Sequence, residues 1–104
     1  MKKYMVYRAP GEADRDLGKH ELVGVEYGED IYAVTDALIR VVTTDIGENP
    51  EYAKGIDVCA YAPEPMQSFR RTKRYQYYMT GSVALPGTDK NTLVEYGVIE
   101  AEES

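Results

Sequence analysis

The chain has 104 residues, of which 43% are hydrophobic, with ten Tyr, one Phe and no Trp. That length suits one core and one domain, 1–104, and leaves no room for a substrate domain beside a catalytic one. The net charge of −6 runs against the basic balance of most nucleic-acid binders.

"KKYMVYRA" (2–9) mixes Tyr, Met and Val between cations and predicts a first strand. "PGEADRDLGK" (10–19) is a loop opened by Pro-Gly. "ELVGVEYG" (21–28) predicts a second strand, in which Val23, Val25 and Tyr27 alternate with Gly24 and Glu26.

A helix is predicted from about 31 to 46. Asp30 is the expected N-cap, and Gly47 the expected left-handed residue beyond the end. Ile31, Val34, Leu38, Val41 and Val42 fall on one side at helical spacing, with Tyr32, Asp36, Arg40 and Thr43 opposite.

"GENPEYAKG" (47–55) is a loop, and "IDVCAYA" (56–62) predicts a third strand that "PEP" terminates. "RYQYYMTGSVAL" (74–85) has the best period-two pattern. Tyr75, Tyr77, Met79, Gly81, Val83 and Leu85 share one face, and Arg74, Gln76, Tyr78, Thr80, Ser82 and Ala84 the other. After a turn at 86–91, "TLVEYGVIE" (92–100) predicts the last strand, and 101–104 a frayed acidic tail. The order β-β-α-β-β-β implies an α+β domain, a mainly antiparallel sheet of about five strands with one helix on one face.

The charge is unevenly spread. Residues 1–69 hold 7 bases and 13 acids, residues 70–74 hold four bases and no acid, and residues 75–104 hold one base and 5 acids. Arg70, Arg71, Lys73 and Arg74, followed by Tyr78, are therefore the candidate binding residues. Cations attract phosphates and a Tyr ring can stack on an unpaired base, which makes single-stranded nucleic-acid binding the alternative function. The acidic field elsewhere opposes a polyanion, so a protein contact is favoured for this patch.

No catalytic constellation stands out. Between Gly11 and Gly18 lie six residues where a phosphate loop needs four, and His20 follows Lys19 in place of Ser or Thr. A calcium loop starting at Asp14 would place Lys19 at its glycine position and Val25 at its closing acid. His20 reads as a surface residue. With one His and one Cys, no metal ligand set has a recognisable spacing, and no cofactor is expected. Cys59 lies beside Asp57, which disfavours a thiolate.

The favoured function is a non-enzymatic interaction module acting through a protein partner or a second copy, with an acidic inhibitor or accessory protein as a special case. A small enzyme with a Tyr/carboxylate site is the third reading. A single cysteine and the lack of an apolar leader or membrane span place the chain in the cytoplasm by expectation. A homodimer is expected through a strand edge or a tyrosine-rich face. The last strand, 92–100, is the edge candidate, because it lacks the Lys and Pro that commonly guard one.

Overall fold

The computed structural model describes residues 1–8, 21–49, 57–65, 75–84 and 91–102. Within them the elements are β1 (Lys2–Arg8), β2 (Glu21–Gly28), α1 (Ile31–Glu48), β3 (Asp57–Ala60), β4 (Glu64–Pro65), β5 (Tyr77–Ala84) and β6 (Asn91–Glu102). The strands form one antiparallel sheet in the order β2-β1-β6-β5-β3, and the short β4 also pairs with β5. One helix on an antiparallel sheet is the expected α+β arrangement. The expected loop at 10–19, residues 50–55 of the expected loop at 47–55, residues 86–90 of the expected turn at 86–91, and Ala9, His20, Ile56 and Leu85 lie outside the described residues.

β6 occupies the centre of this sheet, between β1 and β5. The expectation that the last strand forms an edge is therefore wrong. Its lack of edge guards has a simple cause, since both of its sides are hydrogen-bonded. The ladder also continues past residue 100. Ala101 and Glu102 pair with Lys3 and Lys2, so these two residues belong to the strand and not to a frayed tail.

Period-two alternation decides which side chains meet the helix. Tyr4 and Val6 of β1, Val94, Tyr96 and Val98 of β6, and Met79 and Val83 of β5 are buried on that face. From α1 they meet Val34, Leu38, Val42 and Ile46, one residue per turn. Each such aliphatic side chain, once buried, contributes about 1.5–3 kcal/mol. The helix touches both outer strands, β2 and β3, so the sheet curls around it.

Both helix ends have local causes. The Ala33 N–H donates to Asp30 Oδ1 at 2.9 Å, as the N-cap assignment requires. The C-terminal assignment was wrong: Gly47 lies within the helix, which runs to Glu48. Asn49 ends it in an extended conformation (φ −76°, ψ 121°), its N–H donating to Ile46 C=O at 3.2 Å. Asn49 precedes Pro50, and a residue before proline is driven out of the helical region.

β2 corrects another expectation. A register shift opposite Val6 and Tyr7 reverses its alternation near Val23. Gly24 and Gly28, and not Val25 and Tyr27, lie beneath the helix. A Cβ on Gly24 would stand 2.5 Å from Val41 Cγ1, and one on Gly28 2.5 Å from Val34 Cγ1. The two glycines let the helix settle directly onto the backbone of β2.

Candidate functional site

Arg70, Arg71, Lys73 and Arg74 lie outside the described residues. Tyr78 is half-buried in β5, on the sheet face away from the helix. Its hydroxyl donates to a carboxylate oxygen of Glu64 in β4, which pairs with it across the ladder. Gln76 does not continue the strand with it. Gln76 lies in a bend, where its side-chain oxygen accepts from the Glu100 N–H at 2.8 Å.

Tyr75 also departs from the expected face. β5 begins at Tyr77, so the alternation does not reach back to Tyr75. Tyr77 packs against the core, whereas Tyr75 is buried on the opposite face, above Gly97. A Cβ on Gly97 would meet the Tyr75 ring at 2.5 Å, and the Tyr7 ring lies 6.0 Å away at a tilt of 52°. A glycine at 97 is thus what lets the ring lie on the strand.

Two polar clusters join tyrosines to carboxylates on the helix side. In the first, Arg8 holds Asp45 with two bonds, from Nε to Oδ2 at 3.0 Å and from Nη2 to Oδ1 at 2.6 Å. The Tyr96 hydroxyl donates to the same Oδ2 at 2.6 Å. A third bond from Arg8 reaches Glu21 at 3.2 Å. In the second cluster, Glu100 Oε1 accepts from the Tyr4 hydroxyl at 2.9 Å and pairs with Lys2 at 3.0 Å.

These environments fix protonation. Burial pushes Tyr96 well above the ordinary tyrosine range, and its bond to Asp45 adds to that. Burial and the bond to Glu100 do the same to Tyr4. Burial also pushes Asp45 upward, but hydrogen bonds from Arg8 and Tyr96 together outweigh it, leaving this carboxyl below its usual range. The Lys2 hydrogen bond holds Glu100 low. Neutral tyrosines and ionised carboxylates of this kind neither release nor take up a proton near neutral pH. Their geometry ties strands to the helix and to one another. Among the described residues no group of three or more His, Cys, Asp or Glu is placed to hold a metal.

The surface around β2 is different in character. On the sheet face away from the helix, Leu22 and Tyr27 are 53% and 54% exposed, large values for apolar side chains. Val25 lies between them, half-buried, with Met5 and Ile99 beside it in register. Elsewhere Tyr32, Tyr61 and Leu93 are also more than half exposed. The chain as a whole is acidic, with a net charge of −6.

β2 was legible as a strand, but nothing in its residues marked it as the sheet's long edge, because strand order depends on pairing between distant segments. Comparison with known proteins gave no matching family model, no matching curated protein and no matching solved structure. No helix among the described residues is long and apolar enough to cross a membrane.

Proposed function

We propose that this chain is a non-enzymatic interaction module that acts through a protein surface centred on β2, engaging either another protein or a second copy. The observation that carries this reading is the apolar patch in which exposed Leu22 and Tyr27 flank half-buried Val25, next to Met5 and Ile99. Exposed apolar groups that adjoin one another mark contact surfaces more reliably than scattered ones do. Tyr is, moreover, among the residues enriched in interfaces. In the two tyrosine–carboxylate clusters each hydroxyl is committed to its carboxylate and each carboxylate to a cation, which supports a structural role for them over the Tyr/carboxylate enzyme reading.

The acidic balance favours a basic partner surface, in keeping with an inhibitor or accessory protein. A cytoplasmic setting belongs to the same proposal and is supported by the single, exposed, free Cys59.

The test is capture of a partner from source cells by the whole chain and by a Leu22→Asp/Tyr27→Asp variant. Both positions are exposed, so the variant should fold and melt within about 0.5 kcal/mol of the parent. A partner held in stoichiometric amount by the parent and lost by the variant is the expected result. Equal capture by both would remove β2 from the interaction. Absence of both capture and self-association by the parent would remove the reading itself.

A further inference from the structure

β2 ends the sheet: it pairs with β1 on one side and with no strand on the other among the described residues. It is eight residues long. The opposite edge is far less open, because β3 has four residues and the chain then meets Pro63 and Pro65. From Gly24 to Gly28 the β2 ladder is regular, opposite Val6 to Lys2. Every second residue of such an edge directs its N–H and C=O outward, ready to pair with another strand.

A groove lies alongside, between β2 and the flank of α1. Val23 and Val41 form its apolar part, and Glu26, Arg40, Thr44 and Glu48 its polar part. Its volume is ≈ 260 Å³, smaller than the roughly 300–1,000 Å³ of sites that enclose whole small molecules. It suits side chains that project from an extended backbone. Gly24 lets Val41 come down onto β2, and the register shift at Val23 lies at the same end of the groove.

From this pairing of an edge that no described strand covers with a groove we infer that β2 receives an extended, basic segment of a different protein. The segment would add one strand to the sheet and place alternate side chains between β2 and α1. This rests on the interaction-module reading and names its partner chemistry. Backbone pairing gives affinity in such strand addition, and the adjoining groove gives selectivity.

Charge selects the occupant. Glu26 and Glu48 make no ion pair among the described residues, and Glu29 and Asp30 extend the acidic border past the end of β2. Arg40 is the one base lining the groove. Lysine and arginine side chains have apolar stems for Val23 and Val41 and cationic heads for the two glutamates.

A second copy fits this edge poorly. A two-fold antiparallel pairing centred on Val25 would set Leu22 opposite Gly28, yet the register shift puts these two on opposite faces. Centring on Glu26 would set that carboxylate against its own copy, a destabilising like-charge pair.

The test uses a short blocked peptide that alternates valine with lysine or arginine, and a control with glutamate at the charged positions. Amide hydrogen exchange and chemical shifts of the whole chain are followed during titration with each. The expected result is slowed exchange within 24–28 on adding the basic peptide only. Glu26→Lys with Glu48→Lys should weaken that binding roughly tenfold or more, and Arg40→Glu should strengthen it. Glu48→Lys alone, at an exposed position, serves if the double variant does not fold.

Equal response to the acidic peptide, protection confined to other strands, no response, or self-association mapped to β2 would each overturn the inference. If the peptide fails while Leu22→Asp/Tyr27→Asp still loses a captured partner, the interaction module stands and only the edge site falls. If both fail, both readings fall.

Discussion

Arg8 and Asp45 face each other across the seam between the first strand and the end of the helix, 37 residues apart, joined by bonds of 3.0 and 2.6 Å. Arg8 also sits opposite Tyr96 in the β1–β6 ladder, and Tyr96 donates to the same carboxylate. One acid thus fastens the helix to two strands. Asp45→Ala should destabilise the fold by about 1–3 kcal/mol, because it leaves Arg8, which is largely covered, with only the exposed Glu21 as a charged partner. Tyr96→Phe should cost about 1 kcal/mol, and the two losses should be strongly non-additive in a double-mutant cycle. Chemical denaturation of the three variants checks this; fully additive losses would mean that the three side chains do not act together.

Stability should show a plateau in pH bounded on both sides. Asp45 and Glu100 titrate below the ordinary range in the folded chain. As pH falls past about 4, the unfolded chain takes up protons before the folded one, so stability is lost through the depressed folded values. Tyr96 and Tyr4 titrate above their ordinary value. As pH rises past about 10, the unfolded chain releases protons first, and stability falls again through the raised folded values. Melting temperatures across pH should trace this shape, with a smaller acid loss in Asp45→Asn.

Two glycines should answer oppositely to alanine. Gly47 lies inside the helix, is exposed, and has no atom within 4 Å of an added Cβ. Gly47→Ala should stabilise by about 0.5–1 kcal/mol. Gly97 lies under Tyr75, where an added Cβ meets three ring carbons at 2.5–2.7 Å. Gly97→Ala should cost about 1–3 kcal/mol and displace the Tyr75 ring, visible as a changed tyrosine spectrum.

Nucleic acid should not be the ligand. Single-stranded DNA and RNA should show no appreciable binding at physiological salt. Tyr78→Ala should then disturb the link to Glu64 and no binding isotherm. Salt-sensitive binding, lost when Arg70, Arg71, Lys73 and Arg74 are all changed to Ala, would bring the alternative function forward.

Much of the architecture was legible because it rests on local pattern. Asp30 reads as a cap from its own chemistry, and Val34, Leu38 and Val42 as a buried stripe from spacing alone. Elsewhere the pattern was overruled by tertiary contact. In β2 Val23, Val25 and Tyr27 looked like one core face, but only Val23 packs against the core: the register shift there moves the alternation by one, and close approach of the helix then demands glycine at 24 and 28. Tyr75 fitted the period of β5, yet the strand starts two residues later.

The Arg8–Asp45 link had a faint signal. Tyr4, Val6 and Arg8 share one face of β1, and Asp45 adjoins the buried stripe at Ile46, so opposite charges occupied two core-facing positions. The placement of β6 had none, because each strand reads the same whether it ends a sheet or fills its centre.

The central claim is that β2 and the apolar side chains beside it form a protein-binding surface. Amide hydrogen exchange, measured for the whole chain alone and in complex with its captured partner, tests this most directly. Slowed exchange concentrated in residues 21–28, with the central strands β6 and β5 unchanged, is the result expected. Protection that leaves 21–28 untouched would contradict it.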